Sequence, residues 1–226
     1  IERLEREGEL IRVSAPVSTR FEIAEITDRM VKSEGGGKAL LFENTGTEFP
    51  VVTNMMGSKR RMAMALGVNS LEEIGQRISA LLGDALSPKA TLWEKMKMLP
   101  LLSDVAKWFP QRIAGRGECQ QVVWQGEDAD MERLPLLTSW ESDGGAFITL
   151  PMVNTLDPDT GVPNMGMYRM QRFDKHTTGM HWHVHKTGAR HYDGYKRRGE
   201  RMPVVVTLGG DPVYTFSATA PMPDNM

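Results

Sequence analysis

The amino-acid sequence predicts an α+β protein, on three observations. In the first hundred residues apolar side chains recur at helical spacing behind capping signals. Short branched or aromatic runs, bounded by turn residues, separate those helices. From about Cys119 onward strand-like runs dominate.

Taken in order, the chain opens with a helical pattern, IERLEREGELIRV. Thr19-Arg20-Phe21-Glu22 has the form of a capping box, and Ile23, Ile26 and Met30 behind it fall on one helix face. Gly35-Gly36-Gly37 should stop that helix; without the four-residue spacing and the Ser/Thr of a phosphate loop, the triplet with Lys38 reads as a C-terminal turn. ALLFEN and VVTN read as short buried strands. Ser70-Leu71-Glu72-Glu73 announces a second helix carrying Ile74, Ile78 and Leu81. Residues 88–112, rich in Lys, Met, Trp and Pro, are expected to form short linking helices. QQVVW, FITLPMVNTL, MGMYRMQRF and MPVVVTLGG then read as strands, with DPDTGVPN as a turn and one helix near 188–200.

Composition bounds the function. The chain has 226 residues, 40% hydrophobic and 25% charged, with a formal net charge of −2, which is neither the profile of disorder nor that of a nucleic-acid binder. Lys59-Arg60-Arg61 and Lys196-Arg197-Arg198 are short basic stretches that suit helix surfaces. The single cysteine, Cys119, excludes an internal disulfide, and no apolar run approaches the roughly 18 residues of a membrane span. A cytoplasmic protein is the expectation. Most of the 16 methionines sit among other apolar residues as core filler.

All five histidines, His176, His181, His183, His185 and His191, fall in one sixteen-residue window. If HWHVH is a strand, its period of two puts His181, His183 and His185 on one face that could hold a metal or an anion. Just upstream, Asn164 offers an amide carbonyl and Arg169 a guanidinium fork suited to carboxylate or phosphate. These residues alone leave a solvated histidine face and a zinc hydrolase built on HWHVH both open.

NMGMYRMQ followed by GMHWHVHKTG resembles the cofactor-binding core of the UbiD family of decarboxylases, which use prenylated flavin mononucleotide and a divalent metal. The resemblance begins at IERLEREGELIRV and runs through VVTNMMGSKRRMAMALG and GEDADMERLPLLTSWESDGGAFITLP. It continues to VVVTLGGDP and SATAPMPDNM, in the family's order along nearly the whole chain. It implies an N-terminal α/β domain with helical linker over 1–112, and over 113–226 a split β-barrel similar to flavin reductases. That barrel carries the cofactor and is incomplete, with the family's C-terminal domain absent from this chain.

The resemblance also implies roles. Asn164 and His185 map to metal ligands, with Mn²⁺ or Mg²⁺ suited to mixed carbonyl, imidazole and carboxylate donors. Thr149, Gly166, Met167, Tyr168, Ala218, Thr219, Ala220 and Pro221 map to positions that touch the flavin, together with Arg169, Asn164 and His185. Arg169 is the catalytic residue, orienting the substrate carboxylate within a network of glutamates. The metal-binding Glu and those catalytic glutamates are expected beyond Met226, so the chain alone is expected to be inactive; Glu141 and Asp143 are read as loop caps. The activity implied is reversible, non-oxidative decarboxylation of an aromatic or α,β-unsaturated acid, a quinone precursor, by a homo-oligomer supplied by a flavin prenyltransferase. A flavin-binding module without catalysis is the alternative of a different class.

Overall fold

The computed structural model describes residues 1–86, 103, 106, 107, 111 and 114–220. The linker helices expected over 88–112 fall almost wholly outside these residues, and Pro221 lies outside them.

The N-terminal run forms α1 (Glu2–Arg6) and β1 (Leu10–Val13). Helix α2 (Glu22–Val31) buries Ile23 completely and lays Ile26 and Met30 on the same core, as the spacing predicts. Its cap differs from the sequence pattern. The chain enters through Phe21 at φ 70°, and the Glu22 carboxylate accepts from Ser18 N–H at 2.7 Å, so Ser18 takes the place foreseen for Thr19. Residues 19–21 are committed elsewhere: Phe21 N–H donates to Thr138 O at 2.8 Å and Thr138 N–H to Thr19 O at 3.1 Å. The glycine triplet follows the helix with positive φ at all three positions.

Strands β2 (Ala39–Phe42) and β3 (Val51–Thr53) complete a sheet in which β1 pairs parallel with β2 and β3 antiparallel. Val17, Ile23, Leu40 and Phe42 form its core, joined by Leu137 from far along the chain. Helix α3 (Lys59–Ala65) follows, with Ser58 Oγ accepting from Arg61 N–H at 3.2 Å at its start.

Residues Ser70–Asp128 form a compact unit of their own. Helix α4 (Glu72–Leu86) begins where the sequence pattern places it. QQVVW is not a strand: a short 3₁₀ turn, Glu118–Gln120, leads into irregular chain with Val122 71% and Val123 56% exposed. β-branched residues favour a strand only where a partner edge is present to pair with, and among the described residues no strand pairs with them.

Ile1–Asn69 and Ala129–Met226 together form the other unit. Its second half holds β4 (Phe147–Ile148), β5 (Met152–Leu156), β6 (Pro163–Met167), β7 (Met170–Arg172), β8 (Thr178–Met180), α5 (Thr187–Arg198), β9 (Val205–Thr207) and α6 (Pro212–Ser217). FITLPMVNTL is thus two strands parted at Pro151, and MGMYRMQRF two parted at Tyr168-Arg169. They build two antiparallel sheets, β4-β7-β8 and β6-β5-β9. One core of Leu136, Ile148, Val153, Tyr168 and Met170, drawn from both sheets, lies between them. Among the described residues the protein is mixed α/β with three small sheets, and none is closed into a barrel.

Candidate functional site

Strands β5 and β6 are joined by the turn that DPDTGVPN announces, in which Asp157 Oδ1 accepts from Asp159 N–H at 2.8 Å and Thr160 N–H at 3.2 Å. These bonds hold the Asp157 carboxyl below the usual carboxylate range. The register they set places Thr155 directly opposite Asn164 and Val153 opposite Gly166. Directly opposed residues share a sheet face. Asn164, half-buried, is therefore the neighbour of the buried Thr155.

Beyond β6 the chain turns Tyr168 inward. Its ring packs edge-on against Trp182 at 4.8 Å between centroids, and its hydroxyl accepts from Gly188 N–H at 3.0 Å and from Asn164 Nδ2 at 3.5 Å. A side chain at Gly166 would meet that hydroxyl at 2.6 Å, so glycine here makes room for Tyr168. Gly188 is required in the same way, since a Cβ would lie 2.3 Å from Trp182 Cζ3.

HWHVH is not a strand. Strand β8 ends at Met180; His181 N–H still donates to Arg169 O at 3.0 Å, and the chain then leaves the sheet for the turn that opens α5. The three imidazoles consequently do not line one strand face. His181 lies edge-on against Phe147 at 5.5 Å, while the exposed His183 and His185 rings are tilted neighbours 5.9 Å apart. The physical reason is non-local: Trp182 is drawn onto Tyr168, and Gly188 is bonded to that tyrosine's hydroxyl, so the intervening residues must curve.

Arg169 is exposed, its guanidinium carbon 4.6 Å from the centroid of the buried Phe147 ring. A cation held over an aromatic face keeps its N–H edges directed outward, available to an anion. Thr149 lies exposed just past β4. On the β6 side, Met167 N–H donates to Ala218 O at 3.2 Å, which brings the buried Ala218 to the end of β6. Thr219, exposed, donates its hydroxyl proton to Phe216 O at 2.7 Å, and Ala220 is exposed beside it. Asp143 caps its loop as read, accepting from Ser139 and Trp140 N–H groups at 3.2 and 3.0 Å; Glu141 is exposed.

Sequence reasoning missed His191. It stands on α5, 3% exposed, with Nδ1 2.9 Å from Thr155 Oγ1 and Nε2 3.8 Å from Asp157 Oδ2. Burial pushes its pKa below the usual value; the Asp157 carboxylate opposes this and Arg190 assists it. The signal in the sequence was the spacing Gly188, His191, Gly194, one helix face on which two glycines permit close approach to a strand. Grouping all five histidines by proximity along the chain concealed it.

With Nδ2 of Asn164 turned to the Tyr168 hydroxyl, its carbonyl oxygen is the donor left for a cation, and His185 supplies one exposed imidazole. Among the described residues no group of three His, Cys, Asp or Glu is placed to hold a metal ion of any kind, so Asn164 and His185 are at most part of a ligand set.

Comparison with known proteins follows the same residues. Residues 1–78 match the N-terminal domain, and 111–226 the Rift-related domain, of the 3-octaprenyl-4-hydroxybenzoate carboxy-lyase (UbiD) family. Over 99% of the chain an uncharacterized protein of Aquifex aeolicus is 44% identical, and over its full length one of Archaeoglobus fulgidus is 43% identical. The chain spans 45% of the length of each of these two relatives. Among solved structures, vanillic acid decarboxylase of Sedimentibacter hydroxybenzoicus in closed form superposes over 99% of this chain and 44% of its own, with a TM-score of 0.78 and 26% identity. The UbiD-class enzyme HmfF of Pelotomaculum thermopropionicum, in complex with FMN, covers 100% of this chain and 45% of its own, with a TM-score of 0.77 and 23% identity. No helix of the described residues is long and apolar enough to cross a membrane.

Proposed function

The chain belongs to the UbiD carboxy-lyase family, and we propose that it forms the cofactor-binding part of a decarboxylase that uses prenylated FMN with Mn²⁺ or Mg²⁺. The substrate is an aromatic or α,β-unsaturated carboxylic acid, with a quinone precursor the choice that the family's description favours. HmfF has been solved with FMN and, in an evolved dimeric form, with prenylated FMN, which supports a flavin here. On this reading 1–112 and 113–226 are the two domains, the latter contributing to a split β-barrel. The protein works in the cytoplasm as a homo-oligomer, its cofactor made by a flavin prenyltransferase.

The observation that carries the reading is the shared hydroxyl of Tyr168. It accepts from Asn164, one proposed metal ligand, and from Gly188, three residues past His185, the other. One buried group thus ties together the two segments that would hold a cation against the flavin phosphate. Thr149, Met167, Ala218, Thr219 and Ala220 would touch the cofactor, as the family positions they match imply, with Gly166 and Tyr168 shaping the strand beside it; Pro221, which matches too, lies outside the described residues. When bound, the prenylated flavin supplies the electron sink that loss of CO₂ requires. Arg169, steadied over Phe147, would hold the substrate carboxylate through two parallel N–H donors.

A flavin-binding module without turnover is the second reading. One preparation separates the readings. The chain is produced beside a flavin prenyltransferase, released cofactor is identified by absorbance and mass, and turnover is assayed here and in the protein extended to its relatives' length. Asn164→Ala and His185→Ala should lower metal and flavin occupancy together. Arg169→Lys in the longer protein should keep its flavin and lose at least about tenfold in decarboxylation. Flavin binding with no turnover at either length would support the module, and unchanged occupancy in the Asn164→Ala, His185→Ala double variant would overturn the metal assignment.

A further inference from the structure

Helix α5 is held to the sheet at two points one turn apart. At the first, Gly188 N–H donates to the Tyr168 hydroxyl at 3.0 Å. At the second, His191 Nδ1 lies 2.9 Å from Thr155 Oγ1. Residues three apart on a helix share a face, so both anchors act on the face laid against β5 and β6. The glycines bring that face close: a Cβ on Gly188 would meet Trp182 and Tyr168, and one on Gly194 would lie 2.6 Å from Pro158 Cγ.

The proton of the neutral imidazole can be placed. Asp157 Oδ2, 3.8 Å from Nε2, favours the proton on Nε2 and leaves Nδ1 to accept from the Thr155 hydroxyl. His191 thereby joins α5 to β5 through Thr155 and faces the β5–β6 turn through Asp157. Thr155 is directly opposite Asn164, and His185 lies two residues before the first residue of α5. The strand anchored at its partner is the one that bears Asn164. The helix anchored by its own side chain is the one whose approach bears His185.

We propose that the Thr155–His191 pair is a positioning element that fixes α5 along β5 and so sets the separation of Asn164 and His185 for a divalent cation bound with flavin phosphate. The inference rests on the metal reading given above. His191 does not itself touch cation, flavin or substrate; it acts through the two ligands. Partners that orient metal ligands carry about 10–100-fold in affinity.

The test titrates Mn²⁺ into the protein extended to its relatives' length, where the expected metal-binding Glu is present, with FMN added, and reads free Mn²⁺ by electron paramagnetic resonance, with the unfolding temperature of each variant measured alongside. Thr155→Val, which keeps the shape and removes the hydroxyl, should weaken Mn²⁺ binding about tenfold. Thr155→Ser should return it to within about twofold, and His191→Asn, whose carbonyl can stand where Nδ1 stood, should fall between. The decisive arm repeats Thr155→Val in the His185→Ala background, where it should have no further effect on affinity, because the ligand it positions is gone. A tenfold loss in both backgrounds, or none in either, overturns the positioning role. If Asn164→Ala and His185→Ala leave Mn²⁺ binding unchanged, or the parent chain binds no Mn²⁺ with FMN, the metal reading fails and the inference falls with it.

Discussion

Two helices of this protein are fastened to their surroundings through buried polar side chains, and the two fastenings differ in charge. Arg61 of α3, 1% exposed, donates from Nη1 to Glu9 Oε2 at 2.9 Å and to Gly37 O at 2.6 Å, while its buried Nε and Nη2 make no hydrogen bond. Glu9 is shared with Arg60, at 3.0 Å. His191 of α5 is equally buried yet neutral, and its partners are a hydroxyl and a turn carboxylate. A buried charge costs several kcal/mol of desolvation, so it persists where it knits many segments: here α3, the glycine triplet and the approach to β1. A buried neutral group costs far less and can sit beside a site without imposing a field on it. The neutral fastening adjoins Asn164, which lies directly opposite Thr155.

Removing the charged fastening should have the largest effect. Arg61→Ala strands Gly37 O and part of Glu9, and breaking a buried ion pair costs about 3–5 kcal/mol; the second partner Arg60 should hold the loss near the lower end. Urea unfolding followed by circular dichroism measures it. A loss under about 1 kcal/mol would erase the contrast between the regions.

Next comes the close approach of α5. Gly188→Ala places a methyl group against Trp182 and Tyr168, and overpacking of this kind costs about 1–3 kcal/mol. Tryptophan fluorescence should shift with it, because Trp182 must move, and the contact between Tyr168 and α5 should loosen. An unshifted spectrum with full stability would mean that the helix rides further from the strands.

The smallest effect distinguishes the two fastenings by pH. The His191 pKa is lowered by burial, so the unfolded chain takes up a proton more readily than the folded one. Its contribution to stability is therefore full above about pH 6.5, the unfolded value, and is lost as pH falls below that toward the folded value. A shallow drop in unfolding temperature from pH 7.5 to 5.5 is expected, and His191→Asn should flatten it. A slope that survives this substitution would assign the titration to another group.

Much of this fold is legible from periodicity and punctuation. Helix α2 with Ile23, Ile26 and Met30 inward, strands β2 and β3, the turn at Asp157 and helix α5 all stand where the pattern puts them, because each depends on neighbours a few residues away. The motif around Asn164 and Arg169 and the family it marks were likewise readable, since several short signatures in one order are a property of the chain alone. Tertiary structure decided the rest. Whether Ser18 or Thr19 answers Glu22 depended on Thr138, over a hundred residues away. HWHVH has the alternation of a strand, yet Trp182 packs on Tyr168 and Gly188 bonds to its hydroxyl, so the run became a turn in which His181 packs on Phe147 while His183 and His185 stay neighbours. Of the five histidines only His191 is fully buried, selected by a hydroxyl and a carboxylate that lie 36 and 34 residues back in sequence. Burying a polar group is tolerated only where a partner waits in space, and no local pattern records where that partner will be.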